Sequence, residues 1–286
     1  MTDDPTGRTM RRRSVLFMPA SNPRAMAKAR GLACDAVILD LEDAVAPEAK
    51  DAARAAALEA AAEGFGGRVC AVRINALDTP WGREDAAALA SAPGVAAVVV
   101  PKVGSAEDLS VVRALLGAGG PPVWAMIETC GAVLRLGEIV RAAGATRTEL
   151  LIAGTNDLAK EMRCRVDAGR TALVPALAQL VIAARAEGLV VLDGVYNAIQ
   201  DAAGFAAECE QGAMLGFDGK TLIHPAQVEP ANVAFAPSAD AVVWAERVVA
   251  AFAAPEAAGK GAIRVDGAMV ERLHLAEAER VLALVG

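Results

Sequence analysis

The amino-acid sequence predicts an α/β chain folded as a (β/α)8 TIM barrel, followed by a C-terminal helical extension. Three observations lead there. Eight short apolar runs recur along the chain, they are near-continuous rather than alternating, and Ala-rich stretches of helical composition separate them. Parallel strands covered on both faces read this way. A doubly wound open sheet competes with the barrel. No GxGxxG follows the first run, and the count closes at eight within about 225 residues, the size of a barrel.

The predicted strands are SVLFMP (14–19), AVILDL (36–41), VCAVRIN (69–75), VAAVVVPKV (95–103), VWAMIET (123–129), LLIAGTNDL (150–158), VVLDGV (190–195) and GAMLGF (212–217). Helical segments such as residues 47–64 and 171–188 close on Gly64 and Gly188, a common stop signal. After Pro225 the pattern changes. Residues 238–253 and 267–284 read as two amphipathic helices separated by PEAAGKGAIRVD. The expected organisation is an N-terminal tail (1–12), a barrel (13–236) and an extension (237–286) that packs on its own barrel or caps a neighbouring subunit.

Composition narrows the classes. Hydrophobic residues make up 55% of the 286 and charged residues 22%, which suits a large buried core and not disorder. A net charge of −7 argues against nucleic acid as a partner. No apolar run of about 18 residues is present, so no membrane span is expected. The basic N-terminus has no apolar segment of signal-peptide length before Pro19. The five cysteines are scattered without CxxC spacing and read as buried thiols, and two histidines, His224 and His274, exclude a multi-histidine metal site. A cytoplasmic enzyme is the expectation.

Barrel active sites lie at the carboxyl ends of the strands. The predicted ends carry Asp40, Glu42 and Asp43; Arg73 and Asn75; Lys102; Glu128 and Thr129; Asn156 and Asp157; and Asp193. Several carboxylates at one rim repel each other, and a divalent cation resolves this. With oxygen donors and no histidine or thiolate set, Mg²⁺ or Mn²⁺ is favoured over zinc. Acidic residues are welcome at helix starts, so Glu128 and Asp157 suit N-caps of the helices that follow. Arg73 suits an internal ion pair with Glu42 or Asp43, and Asp40 one with Lys102. For His224, ahead of a proline, a structural role tied to backbone is preferred.

Several motifs occur in order: RSVLFMPASNPRAMAKA, VILDLEDAVAP, VRIN, VPKV, IET, GTNDLA, GFDGKTLIHPAQ and GAMVE. Together they resemble the citrate lyase β-subunit-like group of the HpcH/HpaI aldolase superfamily, which includes malyl-CoA and citramalyl-CoA lyases. The resemblance runs from about Arg13 to the C-terminus and implies the same barrel fold. It implies Mg²⁺ on Glu128 and Asp157, with Glu128 also facing substrate, and Arg73 as clamp or enolate stabiliser. Glu42 and Asp43 then orient Arg73 and the waters of the cation, or simply pair with it. Phe17, Arg24 and Lys28 are expected to hold coenzyme A, or to form a solvated helix face. Some relatives carry Arg in the strand-one loop where this chain has Asn22.

The implied reaction is cleavage of a C–C bond in a 3-hydroxy-carboxyacyl-CoA thioester, releasing an acetyl-CoA-type product and an α-keto acid. The implied assembly is a homo-oligomer, trimer or hexamer. Glu271 stands where relatives often have Asp in MVD or MID, as an acid/base group reaching an adjacent subunit, or as an exposed helix residue paired with Arg272 or another cation. Relatives commonly have GAEDLA where this chain has GTNDLA, so Asn156 removes a negative charge. These two departures favour the alternative of a (3S)-malyl-CoA thioesterase. A further alternative is a citrate lyase β subunit acting on an acyl-carrier-protein thioester.

Overall fold

A computed structural model describes residues 11–285; residues 1–10 of the expected tail lie outside them. The strands β1 (Ser14–Pro19), β2 (Ala36–Asp40), β3 (Val69–Arg73), β4 (Ala97–Val100), β5 (Val123–Ile127), β6 (Thr148–Ala153), β7 (Val190–Asp193) and β8 (Gly219–Leu222) form a closed parallel barrel, with β8 pairing back to β1. Between them run α1 (Pro23–Ala29), α2 (Lys50–Glu63), α3 (Gly82–Leu89), α4 (Ala106–Leu116), α5 (Cys130–Leu134), α6 (Leu136–Arg141), α7 (Ala143–Thr146), α8 (Thr155–Met162), α9 (Val174–Ala186) and α10 (Ala202–Leu215). α11 (Val228–Ala234) follows β8. The predicted (β/α)8 barrel is the observed fold.

The apolar runs lack alternation because both faces are covered. Val15, Ile38, Ala71, Val99, Trp124, Met126 and Ile152 fill the barrel interior. Their neighbours Leu16, Leu39, Val72, Val98, Ala125 and Leu151 face the helices. Trp124 is almost fully buried inside the barrel, and alanines at 36, 71 and 97 leave room for its indole.

The eighth strand is a correction. GAMLGF does not form it. Gly212–Leu215 complete α10, Gly216 ends that helix at φ +96°, and the strand is the following GKTL. A lysine inside a strand hides the apolar signal. Lys220 is wholly buried, and its charge is met by Asp193 at 2.9 Å and Glu208 at 2.7 Å. Gly219 is required by closure, because a Cβ there would lie 1.9 Å from the Arg12 carbonyl oxygen.

The chain divides into compact units at Phe235/Ala236. The second unit holds α12 (Ala239–Ala253), β9 (Ala262–Val265), β10 (Ala268–Glu271) and α13 (Arg272–Ala283). The helix predicted from 267 begins later, because β9 and β10 form a two-stranded antiparallel sheet first. Its turn is Asp266-Gly267, both at positive φ (51° and 85°), the pairing a two-residue hairpin turn demands. Val248, Val265, Val270 and Ala278 form this unit's own core. Among the described residues no helix is long and apolar enough to cross a membrane.

Candidate active site

Side-chain alternation decides which strand-end residues share a space. Phe17 and Pro19 of β1, Asp40 of β2, Arg73 of β3, and Glu128 just past β5 continue the inward-facing series and line a cavity of about 360 Å³. Gly154, Thr155, Asn156 and Asp157, at the start of α8, supply another wall, with Asn197 beyond β7 and Thr221 within β8. Asp193 has the opposite parity. It faces the helices, fully buried against Arg170 at 2.7 Å and Lys220, and burial is outweighed there by those two cations, which hold its carboxyl below the ordinary range. It takes no part in the cavity.

The three carboxylates at the mouth of β2 have three different settings. Asp40 and Arg73 are register partners on adjacent strands. Asp40 accepts from Arg73 Nε at 2.6 Å and Nη2 at 2.7 Å, and also from the backbone N–H of Glu42 and Ala44. This corrects the expected Asp40–Lys102 pair, since strand register places Arg73 beside Asp40 and leaves Lys102 for Glu42. Glu42 Oε1 lies 2.6 Å from Lys102 Nζ, and its Oε2 lies 2.9 Å from Arg73 Nη1. Asp43 is exposed and stands 3.6 Å from Arg73. Burial alone would lower the Arg73 value, but Asp40, Glu42 and Asp43 hold it above its ordinary one, so the guanidinium is permanently charged. Burial pushes Glu42 up.

Phe17 places its ring 4.8 Å from the Arg73 guanidinium, covering it from β1. Arg24 and Lys28 are exposed and four residues apart on α1, whose N-cap is Asn22 accepting from the Ala25 N–H. Glu271 belongs to the C-terminal unit, exposed at the end of β10, with its backbone N–H donating to His274 Nδ1. Its expected pairing with Arg272 is not formed. Arg272 stacks on Phe252 and donates to the Lys260 carbonyl. His224 Nδ1 accepts from the Ala226 N–H, the backbone tie its sequence context suggested.

Glu128 and Asp157 are not helix caps. Thr129 caps α5, and Gly154 is the N-cap residue of α8. Glu128 is 2% exposed, and burial, with Glu42 and Asp157 nearby, pushes its carboxyl up to about 7. A buried carboxylate facing other carboxylates is a donor in want of a cation. Gly154 makes room for it, because a Cβ there would lie 2.3 Å from Glu128 Cβ and 2.4 Å from Oε2. No cluster of three or more His, Cys, Asp or Glu suited to a metal occurs among the described residues. Two carboxylates fit Mg²⁺, which fills its remaining positions with water and ligand oxygens.

Two contacts were not read from the sequence, and one of them brings in Asn197, which had not been singled out. Asn156 and Asn197 form a reciprocal amide pair, at 3.3 and 2.7 Å, joining the start of α8 to the segment after β7 at the cavity wall. Asn197 follows a predicted strand end, which is the signal that would have found it. The backbone N–H of Lys102 donates to Glu128 Oε1 at 2.7 Å, a contact no side-chain pattern reveals.

Residues 13–225 match the family described as HpcH/HpaI aldolase/citrate lyase. Over 274 residues the chain is 48% identical to a (3S)-malyl-CoA thioesterase of Cereibacter sphaeroides (strain KD131), covering 95% of this chain and 93% of the relative. It is 34% identical to an L-malyl-CoA/β-methylmalyl-CoA lyase of the same species, covering 94% and 93%. Among solved structures, the CitE protein of Mycobacterium tuberculosis in complex with magnesium, acetoacetate and coenzyme A superposes with a TM-score of 0.75 at 32% identity, covering 94% of this chain and 96% of that one. A closed eight-stranded barrel, with its carboxylates and arginine gathered at one rim, is thus accompanied by similarity along almost the whole length, and the chain belongs to the HpcH/HpaI aldolase/citrate lyase family.

Proposed function

We propose that this protein acts on a malyl-CoA-type thioester and hydrolyses it, with Mg²⁺ held by Glu128 and Asp157. The observation that carries the reading is the placement of buried Glu128 and the nearby Asp157 in one cavity with Arg73. The 48% identity to a (3S)-malyl-CoA thioesterase supports hydrolysis as the outcome. When bound, the cation supplies positive charge that holds hydroxyl and carboxylate oxygens of the acyl group and makes that hydroxyl more acidic. Mn²⁺, with the same taste for oxygen donors, is expected to replace it.

The chain's own residues do the rest. Arg73, fixed by Asp40 and Glu42, presents a permanent cation to a carboxylate or to a carbonyl oxygen on which charge develops. In hydrolysis, a water oxygen adds to the thioester carbon, the C–S bond breaks, and the water proton ends on the sulfur of coenzyme A. Asp43, exposed at the cavity wall, is the carboxylate placed to hold that proton in passage. Arg24 and Lys28 on the exposed face of α1 supply the positive charge for the phosphates of coenzyme A, and Phe17 packs over Arg73.

Carbon–carbon cleavage is the second reading, supported by the lyase relatives at 34% identity. In it the hydroxyl loses a proton, the C2–C3 bond breaks, glyoxylate leaves, and the acetyl-CoA enolate forms beside Arg73. Glu271, serving a neighbouring copy in a trimer or hexamer, then returns the proton. Incubation with (3S)-malyl-CoA and Mg²⁺ separates the readings. Free malate and coenzyme A thiol in equal amounts, without glyoxylate, is the expected result. Glyoxylate with acetyl-CoA would overturn hydrolysis in favour of cleavage. Turnover only of an acyl-carrier-protein thioester would point to a citrate lyase β-subunit role.

A further inference from the structure

Lys102 follows β4 at φ +53°. A residue with a Cβ occupies that left-handed region at a cost of order 1–2 kcal/mol, and such strain persists only where surrounding contacts impose it. Here two contacts do so. The strained backbone turns the Lys102 N–H onto Glu128 Oε1 at 2.7 Å, while its ammonium meets Glu42 Oε1 at 2.6 Å. Glu42 in turn stands 2.9 Å from Arg73 Nη1.

We propose that Lys102 is a positioning residue with two separable tasks: its backbone N–H occupies one oxygen of Glu128, so that the other is presented to a divalent cation, and its ammonium holds Glu42 against Arg73. The inference rests on the reading of Glu128 as a cation ligand. Its physical content is a fixed spacing. One residue contacts both the carboxylate that serves the cation and the carboxylate that steadies the anion clamp, so the two ends of the acyl group are held at one distance. A misplacement of about 1 Å in such a clamp is worth roughly a hundredfold in rate.

Glycine at 102 keeps the N–H and relieves the strain, and methionine keeps the N–H and the stem; both delete the charge. Lys102→Gly and Lys102→Met are therefore expected to bind Mn²⁺, followed by electron paramagnetic resonance titration, within about threefold of the unaltered protein. Their kcat on (3S)-malyl-CoA falls roughly a hundredfold. Lys102→Arg, which restores a cation for Glu42, recovers at least a tenth of the lost rate. Thermal unfolding of each variant checks that it folds. Unchanged kcat in the glycine and methionine variants would overturn the inference, as would Mn²⁺ affinity and kcat falling together. If the unaltered protein binds no Mn²⁺, the cation reading fails and takes this inference with it. If it binds Mn²⁺ but the variants match it in turnover, the inference alone fails.

Discussion

Arg73→Met removes a guanidinium that is 8% exposed and satisfies both oxygens of Asp40. Taking one partner from a buried ion pair costs about 3–5 kcal/mol, because the other charge stays buried without compensation. Asp40 keeps two of its four hydrogen bonds, those from the Glu42 and Ala44 N–H groups, so the lower end, about 3 kcal/mol, applies. For a barrel of this size that lowers the melting temperature by roughly 6–12 °C. A second change, Asp40→Asn, removes the stranded charge and is expected to return about 1–2 kcal/mol. Urea unfolding of the single and double variants measures both steps, and thioester turnover is read on the same samples. The expected pattern is stability partly restored and turnover lost in both. A loss below about 1 kcal/mol in Arg73→Met would refute the account of the pair. Recovery of turnover in the double variant would show that Arg73 only braces the barrel.

The carboxyl of Glu128, raised from the ordinary value to about 7, makes metal-free stability depend on pH. A raised carboxyl adds stability that is complete below about 4.5 and is lost as pH rises through about 7, a change of roughly 3 kcal/mol. Glu128→Gln should flatten that slope in chelator-treated protein, and an unchanged slope would place the titration elsewhere. Lys220→Met leaves Asp193 and Glu208 with less compensation inside the wall of the barrel, and a loss of about 3–5 kcal/mol in urea unfolding is expected. Gly154→Ala forces the Glu128 side chain aside, so divalent-cation affinity measured by calorimetry should fall about tenfold or more, with an overpacking cost of about 1–3 kcal/mol.

Much of this protein is legible in its linear pattern, because burial on two faces leaves a local mark. Seven of the eight strands coincide with an apolar run, and the polar residues that end those runs supply the cavity's carboxylates and arginine. The eighth strand escaped because Lys220 reads as exposed until Asp193 and Glu208 are seen around it. The hairpin before α13 carried its own signal in Asp266-Gly267, overridden by the helical spacing downstream. Partnership among charges was reached only in part: Arg73 beside Glu42 and Asp43 was expected, whereas Asp40 beside Arg73 and Lys102 beside Glu42 were not. Asp40, Glu42 and Asp43 are equivalent as letters, yet the register of β2 on β3 pairs the first with Arg73, and the left-handed turn at Lys102 delivers an N–H to Glu128. Composition and periodicity determined the barrel and the kind of groups at its rim. Which group meets which was decided only by closure of the sheet, because a strand's neighbours are set by hydrogen-bond register between segments far apart in the chain.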